Sequence, residues 1–66
     1  MEIYLNGELR RLENTLSVAR LLDEMGMNGR RIAVEINRTI VPRSGYADRL
    51  LEPGDRVEIV QAIGGG

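Results

Sequence analysis

Hydrophobic and polar positions alternate near both ends of the chain and fall into a helical period in one stretch between them. In "MEIYLNGELRRLE" two alternating runs flank Asn6-Gly7, a pair suited to the positive φ angles of a two-residue type I′ turn. That turn predicts a β-hairpin with Leu5 opposite Glu8, Tyr4 opposite Leu9, Ile3 opposite Arg10 and Glu2 opposite Arg11. Ile3 and Leu5 then share one face, and Tyr4 and Leu9 the other. Arg10 falls awkwardly on the core side, so the register of the second strand stays open; an edge position or a bulge would resolve it. In "TLSVARLLDEMGMNG" the residues Val18, Leu21, Leu22 and Met25 fall at i, i+3, i+4 and i+7, one apolar stripe of a helix. Ser17 is placed as N-cap, Leu16 and Leu21 as a hydrophobic staple, and Gly26 as the residue that ends the helix. Alternation returns in "RRIAVEIN", with Ile32, Val34 and Ile36 inward and Arg31, Ala33 and Glu35 outward. Asn37-Arg38 turns into a short strand, "TIVP", stopped at Pro42. "RSGYADRLL" reads as a turn-rich connection with one tight helical turn, and "EPGD" as a type II turn. "RVEIVQAI" closes the pattern, with Val57 and Ile59 inward and Glu58, Val60 and Ala62 outward.

One helix covers only one face of a sheet, so the other face meets solvent. Strand, strand, helix, strand, short strand, strand is the order of an α+β, ubiquitin-like β-grasp fold: a mixed sheet of four to five strands on one helix, with the first and last strands side by side at its centre. Residues 1–62 are expected to form the domain and 63–66 a flexible tail. On this arrangement Tyr4 and Leu9 neighbour Val60 and Ala62 on the open face.

At 66 residues the chain makes one domain, and about 60% of its unfolded surface is buried. That supports one thin core and no deep, walled active site. The absence of Cys and His removes disulfides, thiolate or Ser-His-Asp catalysis and the usual zinc ligands. A net charge of −1 gives no electrostatic case for nucleic acid or an anionic membrane. All nine basic residues are Arg, so there is no phosphate-cradling P-loop lysine and no side-chain amine for amide chemistry. The start of the chain lacks the pattern of a signal peptide and no apolar run approaches a membrane span; the expected compartment is the cytoplasm.

Glu52, Asp55 and Glu58 are spaced so that they could in principle approach a cation, but a turn followed by an outward strand position accounts for them. Scattered exposed apolar residues are normal, yet four on one face beside the end of the chain point to a partner surface. The ending "IGGG" is either a frayed end or a tool. From Ile63 the chain reaches at most about 13 Å. Ile63, Gly64, Gly65 and Gly66 offer a slim arm able to thread a narrow channel, with a terminal carboxylate that no Cβ shields.

The stretches "IYLNGE", "SVARLLDEM", "IAVEINRTIVPRSGYA" and "GDRVEIVQAIGGG" resemble the ThiS-type sulfur carrier proteins of thiamine biosynthesis over essentially the whole chain. "NRTIVPR" followed by an aromatic at Tyr46 is the most specific internal part; the family often has Trp there. The resemblance implies that the chain is not an enzyme and binds no cofactor of its own. A ThiF-type adenylyltransferase with ATP and Mg²⁺ would convert the Gly66 carboxylate to an acyl-adenylate. A sulfur donor protein such as a cysteine desulfurase would then yield a thiocarboxylate, delivered to a ThiG-type thiazole synthase. Tyr4, Leu9, Val60 and Ala62 would dock these partners, Ile63 to Gly66 would enter their sites, and the free carrier would be a monomer.

Related carriers, such as the small subunit of molybdopterin synthase or a carrier for cysteine synthesis, share the glycine end and differ in partner. A ubiquitin-like modifier, or a β-grasp regulatory module that makes no use of the tail, are further alternatives. Incubation with an adenylyltransferase, ATP and a sulfur source separates them by the mass of the product.

Overall fold

The structure, a computed structural model, describes residues 1–61. Strands β1 (Glu2–Leu5) and β2 (Glu8–Arg11) form the expected hairpin, with Ile3 opposite Arg10 and Tyr4 opposite Leu9. Asn6 and Gly7 sit at φ 49° and 85°, the left-handed pair that a type I′ turn requires. The register runs unbroken from Glu2 to Arg11, so no bulge relieves Arg10. The sheet order β2-β1-β5-β3-β4 resolves it instead: β2 is an edge strand, and all four of its residues are exposed.

Helix α1 (Val18–Glu24) has only seven residues, too few to persist without tertiary support. Its ends are therefore tied down closely. The Ser17 hydroxyl oxygen accepts from the Arg20 N–H at 3.1 Å, while the Val18 and Ala19 N–H groups donate to the carbonyls of Arg49 and Tyr46, both at 2.9 Å. The orphan donors of the first turn are thus satisfied by one side chain and by the segment that leads into the last strand. At the other end Gly26 takes φ 71°; its N–H donates to Asp23 O and that of Met27 to Leu22 O, the two bonds of a Schellman motif. Val18, Leu21 and Leu22 are buried, but Met25, the fourth residue of the stripe, is 36% exposed because it lies at the C-cap.

Strands β3 (Ile32–Ile36) and β4 (Thr39–Val41) form a second two-residue hairpin through Asn37 and Arg38, at φ 52° and 68°. A short 3₁₀ turn (Arg43–Gly45) follows, then the Pro53-Gly54 turn, in which Gly54 has φ 84° and the Asp55 N–H donates to Glu52 O. Strand β5 (Arg56–Gln61) enters the centre of the sheet, parallel to β1 and antiparallel to β3.

The core lies between α1 and one face of this sheet. Ile3, Leu5, Val34, Ile36, Val57 and Ile59 come from the strands as their alternation predicts, and meet Val18, Leu21 and Leu22 from the helix. Leu51, 1% exposed, completes it from a segment whose burial the sequence pattern does not announce. Each such side chain contributes roughly 1.5–3 kcal/mol on burial. Leu51 is pinned by its N–H to Leu16 O and by the Thr15 hydroxyl to its own carbonyl, at 2.8 and 2.6 Å.

Candidate functional site

The path of β5 defines how the chain leaves the fold. Its pairing with β1 covers Tyr4–Arg56 and Leu5–Val57, after which β1 turns back and β5 runs on. Asn6 extends the contact: its N–H donates to Val57 O and its side-chain oxygen accepts from the Ile59 N–H, both at 2.8 Å. Past Ile59, β5 is held by β3 alone on the other side, ending with Gln61 opposite Ile32. Asn37 performs the matching task at the strand's start, where its Oδ1 accepts from the Arg56 N–H at 3.0 Å. Both turn asparagines thus adopt the left-handed conformation and also satisfy donors of β5, a second role that turn chemistry alone does not reveal.

Tyr4, Leu9 and Val60 are 41%, 55% and 60% exposed on the face away from the helix, as expected. They do not form one patch. The parallel register sets Arg56, not Val60, beside Tyr4, and its guanidinium carbon lies 5.6 Å from the centre of the Tyr4 ring. Val60 stands four residues further along β5, about 13 Å away at the rise of an extended strand, and is paired with Ala33. The expected adjacency fails because β1 ends at Leu5, level with Val57, and cannot accompany β5 to Val60. Val60 instead flanks a shallow cleft of about 230 Å³ with Ala33, Arg31 and Arg43. Ile40, 67% exposed and paired with Glu35, belongs to the same open face and was not anticipated. The strict alternation of "TIV" with Val41 inward was the available signal. Ala62, Ile63, Gly64, Gly65 and Gly66 lie outside the described residues.

Both carboxylate oxygens of Asp55 are engaged within the fold. Its Oδ1 accepts from Asn37 Nδ2 at 3.0 Å, and its Oδ2 accepts from the Glu52 N–H at 2.9 Å and from an Arg49 guanidinium nitrogen at 3.2 Å. Among the described residues no group of three acidic side chains is placed to hold a metal ion, and no helix is long and apolar enough to cross a membrane. The open face offers binding chemistry: exposed apolar side chains, an aromatic ring and several guanidinium groups.

The ThiS family model matches residues 3–66. The chain is 38% identical over 64 residues to the sulfur carrier protein ThiS of Thermus thermophilus, covering 97% of this chain and 98% of that one. It is 46% identical over all 66 residues to a thiazole synthase of Paramagnetospirillum magneticum, of whose length it spans 20%. The crystal structure of the thiamine biosynthesis protein ThiS from Geobacter metallireducens superimposes with a TM-score of 0.86 at 26% identity, each chain covered completely. The mixed five-stranded sheet on one helix is thereby the β-grasp fold expected from the element order.

Proposed function

The chain belongs to the ThiS family, and from that premise we propose that it is a sulfur carrier for thiazole formation in thiamine biosynthesis. The observation that carries this reading is the extent of the family match, which covers residues 3–66 and so includes the terminal glycines. The division of labour follows from the chemistry. A carboxylate is a poor electrophile because oxide is a poor leaving group; adenylation by a partner enzyme with ATP and Mg²⁺ replaces it with AMP. The persulfide of a donor such as a cysteine desulfurase displaces AMP to give an acyl disulfide, and thiols that are oxidised to a disulfide cleave its S–S bond to leave a thiocarboxylate on Gly66. This soft anion is the nucleophile consumed by thiazole synthase. A thiazole synthase that carries a segment like this chain within its own length supports that enzyme as the acceptor.

The test is the intact mass of the chain after incubation with the adenylyltransferase, Mg-ATP and a sulfur source. One oxygen-to-sulfur exchange at the C-terminus is the expected result. An unchanged mass, with an enzyme preparation that thiocarboxylates another carrier, would remove the proposal.

A further inference from the structure

Resting on the carrier reading, we propose that the cavity between Tyr4, the Asn37–Arg38 turn and the start of β5 recognises a carboxylate on the enzyme that docks this face. The cavity holds about 390 Å³ and is lined by Tyr4, Gly7, Arg38, Arg56, Val57 and Glu58. Three independent features single it out.

The first is the backbone at Arg38. The β1–β2 turn places glycine at its second left-handed position, Gly7 at φ 85°, where a Cβ would be strained. The β3–β4 turn has the same design but places Arg38 there, at φ 68°. The Arg38 guanidinium makes no ion pair or hydrogen bond with any described residue, so nothing in the fold accounts for keeping a long cationic side chain at a position made for glycine. Strain held without a structural return points to a use outside the fold.

The second feature is Arg56. Its guanidinium carbon lies 5.6 Å from the centre of the Tyr4 ring, and it makes no ion pair with a carboxylate of the described residues. The ring face attracts the cation but accepts no N–H bond in its plane, so the guanidinium keeps its capacity for an outside oxyanion. Two guanidinium groups around one cavity suit a carboxylate or another oxyanion.

The third is the next row of the sheet. Glu58 stands two residues beyond Arg56 and directly opposite Glu35 on β3, and among the described residues neither is in an ion pair. Like charges directly opposite destabilise a sheet slightly. Together the two rows, about 7 Å apart, present cation then anion, a pattern that fixes the register of a partner bearing an acid beside a base. Exposed Tyr4 lines the cavity and exposed Leu9 stands opposite it on β2, and Tyr and Arg are the side chains that concentrate binding energy at protein interfaces. A protein surface is therefore the occupant that matches charge and apolar area together.

The experiment measures binding of the full chain to its adenylyltransferase and to its thiazole synthase by titration calorimetry at low and high salt. Arg38→Gly is expected to raise the melting temperature, because it restores the glycine the turn prefers, and yet to weaken binding to at least one enzyme by about tenfold or more with a shallower salt dependence. Arg56→Gln provides a second variant, expected to act in the same direction on binding without the thermal gain. If both variants bind both enzymes within about twofold of the natural chain, the carboxylate assignment is wrong while the carrier reading stands. Competition by inorganic phosphate at constant ionic strength would reassign the cavity to a small anion and overturn the proposal. A natural chain that binds neither enzyme and stays at its original mass would bring down the carrier reading and this proposal with it.

Discussion

Asp55 is 5% exposed, and three donors from two different segments are arranged to meet its carboxylate. Its partners are the side chain of the β3–β4 turn residue Asn37, the backbone of Glu52 and the guanidinium of Arg49, so one carboxylate joins the second hairpin to the loop that enters β5. In Asp55→Asn one side-chain position becomes a donor facing either Asn37 or the Glu52–Arg49 pair. That unsatisfied contact, with the lost charge, is expected to cost about 2–4 kcal/mol. Removing Arg49 is milder, since its side chain is 31% exposed and the carboxylate keeps two donors. Urea denaturation should therefore order the two variants with Asp55→Asn well below Arg49→Met, and the reverse order would deny Asp55 its central place. Sequence reasoning saw Asp55 only as a member of a turn with nearby acids. The turn was legible because proline then glycine dictates it locally; the hub was not, because Asn37 and Arg49 meet Asp55 only once the sheet has formed.

Among the elements, what could be read from the chain was what neighbouring residues decide by themselves. Asn6-Gly7 and Asn37-Arg38 announce their turns, Ser17 and Gly26 bracket the helix, and alternation assigns inward faces to Ile3, Leu5, Val34, Ile36, Val57 and Ile59. The segment between the 3₁₀ turn and β5 lacks any such period, and there the pattern fell silent. Its Leu51 fills the end of the core, while its carbonyls at Tyr46 and Arg49 cap the helix. Leu50, one residue earlier, is 54% exposed, and nothing local distinguishes the two. A loop that both plugs the core and caps a seven-residue helix should behave as part of the cooperative unit. Leu51→Ala is expected to cost about 3 kcal/mol, a large share of the roughly 3–10 kcal/mol available to a domain of this size. Leu50→Ala should change the urea midpoint hardly at all. Equal, small shifts for both would mean that the loop merely rests on the surface.

At the scale of the molecule, the least legible relation was the one between β1 and β5, which no turn connects. Their adjacency followed from the order of elements, but their register is set by long-range packing, and it put Arg56 rather than Val60 beside Tyr4. That register has a mechanical consequence. Among the described residues every buried apolar side chain lies between Ile3 and Ile59, so the body is closed before the chain reaches Gln61. Folding and carrying are then separable properties of one chain. Deleting Gly65 and Gly66 should leave the melting temperature and the dispersion of the amide spectrum as they are, since no described core residue or ladder bond is removed. On the proposed carrier chemistry the same deletion should abolish thiocarboxylate formation, because the carboxylate would move to Gly64 and retreat from the proposed adenylating site by about 7 Å of extended chain. Binding to the adenylyltransferase through the open face should persist, so the truncated chain is expected to inhibit modification of the intact one when both are present. Collapse of the amide spectrum would show that the last residues hold the body together. Normal thiocarboxylation of the shortened chain would show that the enzyme does not read the length of the arm.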